Sequence, residues 1–243
     1  MKLLRKILTG MLAGVLALGS VSAQAFAAGL YSRPDIDRET SLEIHYHQRD
    51  IDFENVEFQV YKIADMAETV KFDFVRRFED YPIDFQDEMT ASQWVNMAEV
   101  LAGYVLRDGL KPDYVGTTDA KGLYSISGLD ASLYLVIGGS HQREYRTTEN
   151  HESVLHRVYY HAAPFLIATP SLDENNISDS EWIYDVEVSP KFTASEDEFI
   201  SRRILKTWDD AGYESQRPGA LLFDLICDGE VQETVELTAG DLW

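Results

Sequence analysis

The sequence predicts a mainly β protein: a β-sandwich with one inserted α-helix, followed by an incomplete second β-sandwich repeat. Three observations carry this reading. About seven short segments alternate apolar and polar residues with turn residues between them, the pattern of a sandwich. Only one segment, Thr90–Gly109, has clear helical spacing. Pro190 has no N–H to donate to a strand ladder, and it closes the first set of segments before a second pattern begins near Arg202.

The elements follow in order. Ser41–Gln48 alternates and reads as the first strand, Asp50–Asn55 as a turn, and Val56–Ile63 as a strand with Val56, Phe58 and Val60 on one face. Phe72–Phe85 is rich in aromatics and acids and has no clean period. In the helix, Thr90 and Gln93 fit a capping box, Trp94, Ala98, Leu101 and Val105 recur on one face, and Asp108-Gly109 ends it. Thr117–Gly128 reads as a polar glycine turn, Leu129–Gly139 as a turn and an apolar strand, and Arg143–Glu152 as a charged excursion. Val154–Thr169 reads as a further strand and Asp173–Ser180 as an acidic loop. In the closing stretch, Glu181–Lys191, Trp182, Tyr184, Val186 and Val188 point one way and Ile183, Asp185 and Glu187 the other. Lys191 therefore stands where a strand leaves the sheet, behind a fixed backbone.

Phe192–Ser201 is a linker or an entering strand. Beyond it, Ile204–Trp208 and Ala220–Cys227 read as strands, Asp228-Gly229 as a hairpin turn and Glu230–Leu237 as the returning strand. Roughly forty residues with three strands bury too little surface to stand alone. With only 202–243 in this second pattern, the chain is thus expected to be a fragment of a longer protein.

At the other end, Lys2, Arg5 and Lys6, the apolar run Ile7–Val21 and the small residues around Ala25 and Ala27 form a secretory signal peptide, 1–27, with a polar arm at 28–40. No later stretch approaches the ~20 apolar residues of a membrane span. The net charge of −21 repels nucleic acid and suits an exported, soluble surface. A single cysteine, Cys227, leaves no internal disulfide, and its apolar neighbours suggest that it faces a core.

Two stretches resemble known families. Val60-Tyr61-Lys62-Ile63-Ala64-Asp65, the helix around Trp94, Thr118–Tyr124, Leu133–Val136, Pro164–Ile167 and Trp182…Pro190-Lys191 resemble the N-terminal domain of Gram-positive surface pilins and related adhesins, over 41–192. Trp182, Val186, Val188, Pro190 and Lys191 match the pilin motif, and Ser189 stands where that motif has tyrosine. Lys206-Thr207-Trp208 through Arg217-Pro218, Asp228-Gly229 and Trp243 resemble the first half of a collagen-adhesin B-type (CnaB) repeat, an Ig-like sandwich. The resemblance implies a structural protein at a Gram-positive cell wall, with sortase and further copies of the chain as partners and no cofactor. It implies Lys191 as acceptor of an inter-subunit isopeptide bond. Lys206 would be the lysine of an intradomain isopeptide bond, whose acid and asparagine lie beyond Trp243. The first domain offers no such trio: its first strand has no lysine.

Other chemistry is thinly supplied. His45 and His47 share a strand face, but spacing supplies no third ligand, so no metal is assigned. Asp173–Asn176 and Glu196–Glu198 lack the calcium-loop pattern and read as solvated loops. No hydrolase or phosphate-loop motif occurs, so the chain is not read as an enzyme. The second reading is an adhesin module for a host protein or glycan, which exposed aromatics near Phe72–Phe85 or Arg143–Glu152 would favour.

Overall fold

The computed structural model describes residues 6–8, 33–49, 51–86, 89–149, 152–172, 182–200 and 206–238. Apart from Lys6–Leu8, the expected leader 1–27 lies outside them. So do part of the arm, the loop Asp173–Ser180, residues 204–205 of the expected strand Ile204–Trp208, Trp243 and the Cys227 side chain.

The strands are β1 (Lys6–Leu8), β2 (Thr40–His45), β3 (His47–Gln48), β4 (Ile51–Asp52), β5 (Glu57–Met66) and β6 (Phe72–Phe74), followed by the helix α1 (Ala91–Asp108). After it come β7 (Tyr114–Thr117), β8 (Leu123–Leu129), β9 (Ser132–Gly138), β10 (Ser140–Glu149), β11 (Glu152–Ala162) and β12 (Phe165–Thr169). The rest are β13 (Ser171–Leu172), β14 (Trp182–Ile183), β15 (Asp185–Val188), β16 (Phe192–Ile200), β17 (Ala220–Cys227) and β18 (Glu230–Thr238). The described chain is therefore mainly β with a single α-helix.

Its contacts divide it into two units: among the described residues, a larger one holding 7–8, 33–143 and 158–195, and a smaller one holding 6, 144–157 and 196–238. The larger unit is built on a sheet of order β12-β9-β5-β6, with β7 also on β5. That sheet is covered on both faces, so β9 reads as an unbroken apolar run. Tyr134 and Val136 turn into one core with Leu42, Ile44, Phe58, Val60, Ile167 and Val186. Leu133 and Leu135 turn into a second core with Trp94, Ala98, Leu101 and Val105 of α1. The first core lies against a second sheet, β15-β2-β8, in which β15 runs parallel to β2. A register shift between Lys62 and Ala64 of β5 lets Ile63 and Ala64 both serve the helix side.

The helix begins and ends where its spacing predicts. Thr90 caps it: Gln93 N–H donates to Thr90 Oγ1 at 3.3 Å, and Thr90 N–H donates back to Gln93 Oε1 at 2.8 Å. Gly109 closes it in the left-handed region at φ 61°. The stretch Phe72–Phe85, which has no period, covers the helix. Phe74 stacks on Phe85 at 4.2 Å and Phe85 lies 6.1 Å from Trp94.

Several expectations are corrected. Only Thr118–Gly122 of the expected turn Thr117–Gly128 lacks strand structure. Ser125 and Ser127 are small polar residues facing outward opposite Glu43 and Ser41, and they hid β8. Arg143–Glu152 is not a charged excursion but the meeting ends of β10 and β11. Val154–Thr169 is two strands, parted at Ala163-Pro164. Of the two readings of Phe192–Ser201, linker or entering strand, Phe192–Ile200 takes the strand. Lys206–Asp210 is irregular, so the expected strand at Ile204–Trp208 does not extend over Lys206–Trp208.

An aromatic group fills the first core where β2 turns away. The Tyr46 ring lies 4.6 Å from Phe53, 5.5 Å from Phe58 and 6.2 Å from Phe192. Its hydroxyl is buried with no protein partner among the described residues, and burial pushes its ionisation upward. An unsatisfied buried hydroxyl costs about 1–3 kcal/mol. Tyr46→Phe is therefore expected to raise stability by about 1 kcal/mol in urea unfolding; a loss of stability would mean that the hydroxyl is bonded.

In the smaller unit, the outer parts of β10 and β11 are held by polar contacts. His156 is buried; its Nδ1 lies 2.7 Å from Glu196 Oε1 and its Nε2 2.7 Å from Thr147 Oγ1. Tyr145 stacks on its ring at 4.6 Å and donates its hydroxyl to Glu196 at 2.8 Å. β17 and β18 form a hairpin through Asp228-Gly229, at φ 53° and 85°, the two positive values that a tight twisted turn requires.

Candidate functional site

Lys191 is presented by a change of backbone chemistry. From Trp182 to Val188 the side chains alternate as the sequence predicts, with Val186 buried and Ile183, Asp185 and Glu187 exposed. Pro190 is buried and cannot continue a ladder. The Lys191 carbonyl nevertheless accepts the Ala163 N–H at 2.8 Å, which fixes the backbone while the side chain stays exposed. Among the described residues no carboxylate is paired with its ammonium.

The lysine stands on the rim of a groove of about 60 Å³. The floor and walls are mainly apolar: Trp94 and Val95 from the first turns of α1, Pro164 to Ile167 from β12 and the residues before it, and Val188 to Pro190. Ser189 also lines it. Helical spacing marked Trp94 as a core residue, and it is 9% exposed; that it also walls a groove beside Lys191 is set by tertiary packing and has no signal in its own neighbourhood.

Lys62 shows the contrasting arrangement. Its ammonium lies 2.8 Å from both Asp65 and Asp130. Burial favours its neutral form, but the hydrogen bonds to Asp130 and Asp65 outweigh that and hold the proton more tightly than usual. Such a lysine stays charged and is a poor nucleophile.

Lys206 lies in the smaller unit, half-buried. Its Nζ sits 3.9 Å from the centre of the Trp208 ring and donates to the Thr207 carbonyl. Arg217 approaches the same ring at 5.4 Å and is paired with Asp210 at 2.7 Å. Among the described residues no asparagine with an assisting acid is gathered around Lys206.

The remaining histidines do ordinary work where they are described. His141 stacks on Phe53 at 4.9 Å, and His161 shares a 2.6 Å hydrogen bond with Ser140. His47 lies on β3, off the strand that carries His45. His151 and Asp173–Asn176 are outside the described residues. Glu196–Glu198 lies in β16 rather than in a loop.

No protein-family model and no curated protein matches the sequence. Among solved structures, similarity extends to the full-length major pilin SpaD from Corynebacterium diphtheriae, at 18% identity and a TM-score of 0.35, over 66% of this chain and 31% of that one. The major pilin SpaA of the same organism gives 19% and 0.33, over 63% and 30%. The shaft pilin SpaA from Lactobacillus rhamnosus GG gives 14% and 0.28, over 63% and 48%. The chain thus spans less than half the length of each of these pilins.

Proposed function

We propose that the chain is a structural subunit of a bacterial cell surface, pilin-like or stalk-forming, and that Lys191 is its acceptor nucleophile. The observation that carries this is the placement of Lys191. It is an exposed lysine without an acidic partner among the described residues, on a backbone fixed by Pro190 and the Ala163 hydrogen bond, at the rim of an apolar groove. In the reaction, the neutral Lys191 amine attacks the thioester carbonyl of a sortase-bound peptide. An amide forms, the sortase thiolate leaves, and the amine's surplus proton is lost. The groove offers an apolar bed on which the incoming peptide would lie. Lys206 is proposed as the lysine of a CnaB-type bond in the smaller unit, on the resemblance of its sequence. An adhesin role has less support from the first of its two aromatic stretches, where Phe72 and Phe85 pack onto Trp94; in the second, Tyr145 is exposed at 38%.

The test is incubation with a cognate sortase and its sorting-signal peptide, followed by mass mapping of the adduct. One adduct on Lys191 is expected, with none in Lys191→Arg, which keeps the charge and removes the nucleophile. An adduct that persists in that variant refutes the assignment.

A further inference from the structure

We propose that Glu43, His45 and Glu187 form a site for a divalent transition metal, zinc being the best-suited ion, that ties β2 to β15. The site is made by pairing that spacing alone does not show. Glu43 and His45 are two apart on β2 and share its outer face. The parallel ladder sets Glu187 directly beside Glu43, so two carboxylates stand side by side, an arrangement that costs stability unless a cation lies between them.

His45 supplies the third donor. Its Nε2 lies 2.7 Å from Glu43 Oε1 and 3.9 Å from Glu187 Oε2. The shorter distance is that of an ion pair, yet the angles make no hydrogen bond. Nε2 is sealed from solvent without a hydrogen-bond partner among the described residues. Glu43 is already oriented, because Ser125 Oγ donates to its other oxygen at 2.8 Å from the neighbouring strand β8. The hydrogen-bonded carboxylate is the outer support that metal ligands commonly have. The three donor atoms lie within 4.8 Å of one another, close enough for small side-chain rotations to bring them to bonds of about 2.0–2.2 Å on one ion. One imidazole with two carboxylates is a zinc-type donor set with a position left for water. Calcium would prefer oxygen donors throughout.

The placement gives the ion a structural use. β15 is paired to β2 over Asp185–Val188 alone and runs directly into Pro190 and Lys191. A metal shared by the two strands clamps the segment that carries the exposed lysine, in a chain whose one cysteine can form no internal disulfide. The inference does not depend on the use made of Lys191.

Zinc chloride titrated calorimetrically into the chelator-treated full chain tests it. About one equivalent is expected to bind saturably and to raise the unfolding temperature, as a ligand of the folded state must. His45→Gln and Glu187→Gln are each expected to weaken binding at least about 10- to 100-fold, the loss typical of even an outer-sphere partner. His47→Gln should leave binding unchanged. The proposal fails if uptake is not saturable, if it is unaltered by His45→Gln, as adventitious binding to an acidic surface would be, or if it is lost in His156→Gln instead.

Discussion

Gly122→Ala is expected to destabilise the larger unit by about 2–6 kcal/mol, whereas Gly128→Ala should cost only about 1–3 kcal/mol. Both glycines have φ of 72°, so both substitutions carry the strain of an L-residue in the left-handed region. They differ in surroundings. A Cβ on Gly122 would lie 2.3 Å from the Tyr46 carbonyl oxygen and 3.3 Å from Phe53 N, while one on Gly128 meets nothing within 4 Å. The Tyr46 backbone cannot move aside easily. Its N–H donates to the Gly122 carbonyl at 2.8 Å and its carbonyl accepts Phe53 N–H at 3.1 Å. The turn beneath is also fixed. The Asp119 carboxylate accepts the N–H groups of Lys121 and Leu123, and those bonds hold it below the usual carboxylate range. Relief of the clash would therefore disturb the turn, β2 and the aromatic group around Tyr46 together. Urea unfolding of the two variants side by side measures the difference, and equal losses would show that strain alone governs Gly122.

The same turn shows what sequence reading recovers. Glycine and aspartate between apolar segments marked a turn over Thr117–Gly128, of which only Thr118–Gly122 lacks strand structure; the strand that follows was hidden because its outward residues are serines. β10 was missed for a related reason: Gln142 to Arg146 are all exposed, so no burial period is written into them. Val56–Val60 was legible because Val56, Phe58 and Val60 are buried while Glu57 is exposed and Gln59 half-buried, and Trp182–Val188 because Ile183, Asp185 and Glu187 are exposed on its other face. α1 was legible at both ends because its cap residues act locally. Ile63 and Ala64, side by side on one face of a bulged strand, break the period on which such reading depends.

The candidate site divides along the same line. Lys191 could be singled out from Pro190 beside it, a local effect on the backbone. The groove could not, since Trp94, Phe165 and Val188 meet only when α1, β12 and β15 are packed. The donor set around His45 could not either, because the parallel pairing of β2 with β15 joins segments far apart in sequence. His47, its apparent partner by spacing, belongs to another strand once Tyr46 ends the ladder.

Trp94→Ala is expected to act on both stability and the proposed chemistry. Trp94 is the fourth residue of α1 and Met89 precedes the cap; both are buried in the second core, the placement of a hydrophobic staple that sets how the chain enters a helix. The ring also packs edge-on to Phe72 at 6.5 Å. Its removal leaves a cavity on the helix side of β12 and should cost about 3–5 kcal/mol, lowering the unfolding temperature by roughly 6–20 °C for a domain of this size. It also removes one wall of the groove beside Lys191 without touching the lysine, Pro190 or the Ala163 hydrogen bond. Under conditions where the variant is fully folded, the rate of peptide transfer to Lys191 is therefore expected to fall at subsaturating peptide, while Lys191 keeps its reactivity toward a small acylating reagent. Trp94→Phe, which refills most of the space, should restore both stability and transfer in large part. If transfer by folded Trp94→Ala equals that of the parent chain, the groove does not seat the incoming peptide, and Lys191 would have to be recognised through its exposed strand end alone.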